Sequence, residues 1–282
     1  MIALIRTEFF KAANRTRTLV IGLLLVGLPT LIVFAIKSRG NRPRNADDAQ
    51  GLFRLAQQSG LLVPAAVLSV MSGFLLVVIA GTFAGDSVAG DASWGNLRYL
   101  LMRPVPRGRL LVAKAIVAAT LIWSATILVS LAALVGGVVV FGAKALSIPG
   151  LGAFAPGALA TGFNISQATL LLRLGIGTAY VAFGFTALLA MGTFFSILTD
   201  TAASAIGATV GVYIVSEILD GITQLGRIRY AFPTHYLNSW ETMFTDNRYS
   251  HDMVVGLVVQ LVYLAVFGTI ALIWFRRKDI RS

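Results

Sequence analysis

The chain contains no cysteine, so it can form neither disulfides nor thiolate-bound metal centres. It has two histidines, His235 and His251, which do not form the His-Glu-x-x-His pattern of a zinc enzyme. The groups that most enzymes use for catalysis are therefore few. We expect no metal site and no catalytic site in this sequence.

Charged residues are also scarce. They make up 12% of the sequence, about half of the share that is usual in soluble proteins. Apolar residues make up 57%, and they gather into six runs that are long enough to cross the ~30 Å of hydrocarbon in a bilayer as helices. A helix satisfies its own backbone hydrogen bonds in lipid. We therefore predict an all-α integral membrane protein, a single transmembrane domain over residues 1–282, with spans at about 18–36, 61–84, 110–141, 170–197, 202–219 and 253–275.

The net charge of +11 lies mainly in the connections beside these runs. Basic residues there are typical of topology signals and of contact with anionic membrane lipid, and they do not indicate nucleic-acid binding. Six spans place both termini on one side, together with 13 of the 23 Lys and Arg residues. We therefore predict a multi-pass protein of the cytoplasmic membrane with both termini in the cytoplasm. Residues 217–252 would form a long extracellular loop with short amphipathic helices at the membrane interface.

Residues 1–17 have the pattern of an amphipathic helix. Ile2, Ile5 and Phe9 fall on one face at helical spacing, and Lys11 and Arg15 fall on the opposite face. Basic residues opposite an apolar face suit a helix that lies in the headgroup region. Such a helix would serve either as an anchor that orients the first span or as a docking element for a partner, and the pattern leaves both roles open.

Few residues within the spans indicate a particular role. Lys114 and Arg173 lie near span ends, where we expect long cationic side chains to extend to the membrane interface. No acidic residue stands in the middle of a predicted span, which argues against a proton-coupled transporter. The candidates for helix packing or for lining a pathway are a helix-bending proline and small residues at four-residue spacing: Pro29, Ala203, Gly207 and Gly211.

Residues 85–90, GDSVAG, have the glycine spacing of a phosphate-binding loop. The Lys and Ser/Thr that complete such a loop are absent, and Asp91 follows instead. A carboxylate at that position would repel a phosphate. We therefore expect that this chain neither binds nor hydrolyses ATP by itself.

Residues 90–114, GDASWGNLRYLLMRPVPRGRLLVAK, connect the second and third spans and carry five Lys/Arg and one Asp. Three leucines at helical spacing stand between Gly95 and Pro104, which predicts a short helix across the membrane surface. Such a helix could act as a rigid lever against another protein. The other interpretation is a solvated basic loop that only fixes the topology.

The same stretch resembles the segment after the second span of ABC-2 type permeases, the membrane subunits of ATP-binding-cassette exporters. That family often has Glu-x-x-x-Gly-Thr-Leu-x-x-Leu-Leu, a polar residue, Pro-Val-Ser-Arg and a later Lys. In this sequence Asp91 stands for the Glu, Asn96 for the Thr and Pro106 for the Ser. The N-terminal helix, the six spans and the C-terminal FRRKDI extend the resemblance over the whole length. The resemblance implies a coupling helix over residues 90–109 that contacts an ATPase through Asp91, Gly95, Leu97, Arg98, Leu100, Leu101, Arg103, Pro104 and Arg107.

The resemblance also implies partners and a function. Two copies of the permease, or this chain and a paralogue, would form a twelve-helix core above two cytoplasmic ATPase subunits. ATP and Mg would bind to those subunits, and this chain would bind no cofactor. The complex would export a hydrophobic substrate, such as a drug, a lipid or a peptide. An ATPase-independent channel or a membrane scaffold protein would also explain the spans and the basic loops, but not the pattern from Asp91 to Arg107.

Overall fold

The computed structural model describes residues 1–38, 51–93, 106–149, 162–245 and 249–277. Five helices in the described part are each long and apolar enough to cross a membrane, and a bent pair of shorter helices supplies a sixth crossing if the pair counts as one span. The predicted helical, multi-pass architecture is confirmed at this level. The helices are α1 (Ile2–Ala13), α2 (Thr16–Ser38), α3 (Gly51–Ala56), α4 (Val63–Gly73), α5 (Leu75–Gly85), α6 (Ala89–Ser93), α7 (Arg107–Phe141), α8 (Gln167–Leu198), α9 (Ala202–Gly221), α10 (Thr242–Thr245) and α11 (His251–Arg277).

The second apolar run forms two helices, α4 and α5, whose axes differ by 53°. Phe74 lies between them with φ −141° and ψ −62°, outside the helical region. The prediction of an unbroken helix over residues 61–84 is therefore wrong, whereas one bent crossing over these residues stays a prediction. Gly73 favours the break because glycine is a weak helix former. The break also lets the two halves pack differently, since α4 contacts mainly α7 and α5 contacts mainly α8 and α9.

Helix α8 is the centre of the bundle. In its most apolar window 72% of the residues are buried, whereas the share in the other long helices lies between 17% and 33%. Helices α5, α7, α9 and α11 pack around it. The outer helices carry large exposed apolar side chains, for example Leu23, Val139 and Leu261. Exposed apolar surface of this extent matches a lipid environment rather than water.

The connection after α7 contains two short strands, β1 (Leu146–Pro149) and β2 (Gly162–Ile165). They pair antiparallel, with Leu146 opposite Ile165. Both of these side chains are buried in the core, so the hairpin is anchored to the bundle at that end. The described part of the chain is therefore consistent with the predicted all-α class, to which it adds this short pair of strands.

The connection between α9 and α11 returns into the bundle. It contains the 3-10 segments Thr223–Ala231 and Ser239–Glu241, followed by α10. Trp240 is completely buried, and Gly177 of α8 makes room for it, because a Cβ at Gly177 would lie 2.8 Å from Trp240 Cε3. Trp240 is therefore not a surface side chain of this connection, and the interfacial position of residues 217–252 stays a prediction. Packing against α8 removes the indole from the surface.

Candidate functional site

A network of ion pairs joins the N-terminal helix to the bundle. Helix α1 packs against the first part of α7. Lys114 of α7 is only 6% exposed, and its ammonium donates to Glu8 Oε2 at 3.0 Å and to Asp91 Oδ2. Lys11, one turn after Glu8 on α1, donates to Asp91 Oδ1 at 2.6 Å. Asp91 is 2% exposed, so it is a buried carboxylate that accepts from two ammonium groups on two different helices.

Asp86 is the second carboxylate at the centre of this network. Arg15 and Arg17, at the junction of α1 and α2, both donate to Asp86 Oδ2. Nη2 of Arg15 also lies 4.0 Å from Asp91 Oδ1, which links the two halves of the network. A Cβ at Gly90 would collide with the Asp86 carboxylate. Glycine at this position therefore makes room for a carboxylate instead of forming part of a phosphate-binding loop.

The network contains four cations and three carboxylates around a cavity of about 50 Å³: Lys11, Arg15, Arg17, Lys114, Glu8, Asp86 and Asp91. Burial by itself would raise the pKa of Asp91. The attraction of Lys114 and the hydrogen bond from Lys11 outweigh burial and hold that pKa below its ordinary value of 3.8. Asp91 is therefore ionised at neutral pH, where it attracts both lysines.

The turn between α5 and α6 is fixed to the central helix as well. The backbone N–H groups of Val88 and Ala89 donate to Ser196 Oγ of α8 at 3.0 and 2.8 Å. The Ser196 hydroxyl donates in turn to the carbonyl of Gly85 at 2.6 Å. One buried serine thus satisfies three backbone groups at the end of the second span. Sequence analysis missed Ser196 because a single serine in an apolar run gives no signal.

Two cationic side chains that were predicted to extend to the membrane interface are buried instead. Lys114 is enclosed in the network, where two carboxylates replace its hydration. Arg173 of α8 is 9% exposed and donates to the backbone carbonyl of Met243. Met243 belongs to α10, in the connection that returns into the bundle. Both predictions are wrong because distant parts of the chain supply the partners, and the local sequence does not reveal them.

The structure describes two of the residues that were predicted to contact an ATPase. Asp91 lies in α6, and its carboxylate points into the ion-pair network. It therefore attaches the start of the predicted coupling segment to the interior of the protein. Arg107 is exposed and begins α7. Helix α7 therefore begins within the predicted coupling helix, residues 90–109. The other predicted contacts lie outside the described residues: Gly95, Leu97, Arg98, Leu100, Leu101, Arg103 and Pro104.

The predicted packing residues have two different environments. Pro29 is buried within α2. On α9, Ala203 and Gly207 are exposed and Gly211 is half-buried. No atom of another described element lies within 4 Å of a Cβ built at Gly207 or Gly211. The described part of this chain therefore leaves that face of α9 uncovered.

Fold and site together define a helical membrane protein whose N-terminal helix is attached to the bundle by buried charges. Within the described residues, no group of three or more His, Asp or Glu is placed to hold a metal ion. Residues 51–281 match the model of a family described as a protein of unknown function (DUF2705), and the chain belongs to this family. No curated protein matches the chain in sequence. The family match includes Asp86, Asp91 and Lys114, whereas their partners Glu8, Lys11, Arg15 and Arg17 precede it.

Proposed function

We propose that this chain is the membrane subunit of an ATP-binding-cassette exporter of the ABC-2 type. In this function it crosses the cytoplasmic membrane with both termini in the cytoplasm. It pairs with a second copy or a paralogue, and with separate ATPase subunits that bind ATP and Mg. The exported substrate is hydrophobic, because the spans that would border a pathway are almost entirely apolar. The pattern from Asp91 to Arg107 and the attachment of this segment to the bundle support the proposal.

The attachment of the segment between the second and third spans is the observation that carries the proposal. At its start, Asp91 is held by two lysines, and Ser196 fixes the preceding turn to α8. At its end, Arg107 begins the 35-residue helix α7. A displacement of α6 or of the start of α7 would therefore reach α1 and α8 directly. A coupling element needs this kind of rigid connection to an element that has two states.

Buried ion pairs make the connection between α1, α6 and α7 costly to break. Removing one partner from a buried pair leaves an uncompensated charge, which costs about 3–5 kcal/mol. Helix α1 is therefore expected to move together with α6 and the start of α7, because separating them would break the pairs of Lys114. A loop that only sets the topology has no need for such an attachment. The network thus favours the lever over the solvated basic loop.

The uncovered face of α9 supports pairing with a second copy. Ala203, Gly207 and Gly211 recur every four residues, and this spacing permits close approach of two helices in lipid. The face has no neighbour among the described elements of its own chain. A second permease copy that packs there would place two α9 helices along the centre of the complex.

Purification of tagged protein from native membranes in mild detergent tests the proposal. The purified complex is analysed by mass measurement for a stoichiometric ATPase subunit and for the number of permease copies. ATP hydrolysis is then compared between the natural sequence and R103E/R107E. The matched control is K144E/R227E, which reverses two exposed basic residues outside the coupling segment. We expect an ATPase subunit, two permease copies, and hydrolysis that falls only in R103E/R107E.

Two outcomes would contradict the proposal. Unchanged hydrolysis in R103E/R107E, with the complex intact, would remove the coupling role of residues 90–109. A pure oligomer of this chain without a nucleotide-binding partner would favour the ATPase-independent channel or scaffold. The control separates a specific loss of coupling from a general effect of lower positive charge.

A further inference from the structure

A groove of about 390 Å³ runs between helices α7, α8 and α11, and we call it the α7–α8–α11 groove. Ile116 and Ala265 in its lining are exposed, so the groove opens at the surface of the bundle. Its lining is apolar, and small side chains make it wide: Ala115 and Ala119 of α7, Ala190 and Thr193 of α8, and Ala265 and Gly268 of α11. Its volume lies within the range of ligand-binding pockets.

The groove is elongated along the helix axes. Its lining extends from Leu111 to Ala119 on α7 and from Leu264 to Leu272 on α11. At the helical rise of 1.5 Å per residue, each side is about 12 Å long. An elongated apolar groove of this length fits a linear hydrocarbon chain better than a compact molecule.

The threonines that α8 contributes to the lining do not require a polar occupant. The Thr186 hydroxyl donates to the carbonyl of Phe183 at 2.6 Å, and the Thr193 hydroxyl donates to the carbonyl of Leu189 at 2.8 Å. Both hydroxyls are therefore satisfied within their own helix. An apolar occupant leaves neither of them without a partner.

Two arginines lie at one end of the groove. Arg276 follows Leu272 by one helical turn on α11, and Arg109 precedes Val112 by about one turn on α7. The Arg276 guanidinium reaches across to α7, since a Cβ at Gly108 would lie 3.2 Å from its Nε. Both arginine side chains are exposed and can bind a group from outside the chain.

We propose that the α7–α8–α11 groove binds one acyl chain of an anionic phospholipid, with the lipid phosphate on Arg276 and Arg109. An apolar chain that ends at a negatively charged phosphate matches an apolar groove that ends at guanidinium groups. Arg109 at the start of α7 and Arg276 at the end of α11 assign the lipid to the leaflet that adjoins these two helix ends. This site does not require that the chain couples to an ATPase.

The net charge of the headgroup, not the acyl chain, determines the selectivity of the site, because a zwitterionic lipid carries the same phosphate together with a cation that opposes binding to arginine. Lipid tails are already in an apolar environment, so entry into the groove adds little hydrophobic driving force. Each arginine near an anionic lipid contributes a favourable electrostatic interaction, and two of them give a preference of about tenfold or more for an anionic headgroup. Zwitterionic lipids with the same acyl chains are therefore expected to bind more weakly.

Native mass spectrometry of the full chain tests the site. Delipidated protein in non-ionic detergent is mixed with equal amounts of phosphatidylglycerol and phosphatidylcholine that carry identical acyl chains. We expect one phosphatidylglycerol to be retained with a preference of about tenfold. R109Q/R276Q is expected to lose this preference, with a large fall in phosphatidylglycerol binding and a smaller fall in phosphatidylcholine binding. R227Q, which removes an exposed arginine in another connection, is the matched control and is expected to keep the preference.

A second variant, G268L, tests the groove itself. No atom lies within 4 Å of a Cβ at Gly268, so the larger side chain can be accommodated and would extend into the groove. We expect G268L to reduce retention of both lipids. An unchanged preference in R109Q/R276Q would overturn the proposal. Lipid retention that is unchanged in G268L, together with a loss of self-association, would assign the groove to a second copy and would also overturn it.

Discussion

Replacement of Lys114 by methionine tests whether the ion network holds the N-terminal helix on the bundle. Methionine keeps most of the side-chain length but removes the ammonium that bonds to Glu8 and Asp91. Removing one member of a buried ion pair leaves its partner uncompensated and costs about 3–5 kcal/mol of unfolding free energy. Because Lys11 remains beside Asp91, we expect the lower end of this range, about 3 kcal/mol.

Lys11 provides an internal comparison. Its side chain is 39% exposed, so water screens its ion pair with Asp91 and the pair contributes little to the free energy of unfolding. We expect Lys11→Met to cost at most about 1 kcal/mol. Lys144→Met is the control, because Lys144 is exposed and is not part of the network; its effect is expected to stay within about 0.5 kcal/mol.

A second substitution, Glu8→Gln, distinguishes loss of the ion pair from a packing defect as the cause of the lower stability. In the Lys114→Met background Glu8 is a buried carboxylate without its lysine, so removing its charge should recover part of the lost stability. The double-mutant cycle is expected to give a coupling energy of about 0.5–3 kcal/mol. Equilibrium unfolding in mild detergent, followed by tryptophan fluorescence, measures each free energy. Equal losses for Lys114→Met and Lys11→Met, or additive effects in the cycle, would refute the buried network.

Two further predictions follow from the packing and the charges. Gly177→Ala is expected to cost about 1–3 kcal/mol of unfolding free energy, because the added Cβ would meet Trp240. Gly175→Ala on the same helix meets no neighbouring atom and should stabilise the protein by about 0.5–1 kcal/mol. Thermal unfolding compares the two variants, and equal effects would contradict the packing of Trp240 on Gly177. The lowered pKa of Asp91 means that its carboxylate stabilises the fold above its ordinary value of 3.8 and that this contribution is lost as the pH falls through the folded-state value. Between about pH 6 and about pH 3, the natural sequence should therefore lose more unfolding free energy than Asp91→Asn, and parallel profiles would contradict the prediction.

The long helices of this fold are predictable from hydropathy alone. Apolar runs of the required length locate α2, α7, α8, α9 and α11 to within a few residues, because a lipid-spanning helix must be apolar over its whole length. The break at Phe74 is not predictable in the same way. The residues on both sides of it are equally apolar, and the bend depends on which helices each half contacts. Hydropathy contains no information about those neighbours.

The candidate site is predictable only in part. Asp91 stands out because it is acidic in a basic stretch, but its partners do not. The ion pair between Glu8 and Lys114 joins residues 106 positions apart, and that between Lys11 and Asp91 joins residues 80 positions apart. Pairs at such separations are set by the packing of α1 on α7, which a local pattern does not specify. For the same reason the expected path of Lys114 to the membrane interface is wrong.

The two sides of α1 support the anchor role that the sequence leaves open. Ile5 packs against the core, and Glu8 lies beside it on the inward side of the helix. Ile2 and Phe10 are 84% and 71% exposed, so the outward side presents large apolar groups that suit lipid. Because one rigid helix carries both sides, any displacement of α1 in the membrane acts on Asp91 through the ion pairs. Anchoring in lipid and holding the segment after the second span are therefore expected to be one structural role, and docking of a partner on α1 stays a separate prediction.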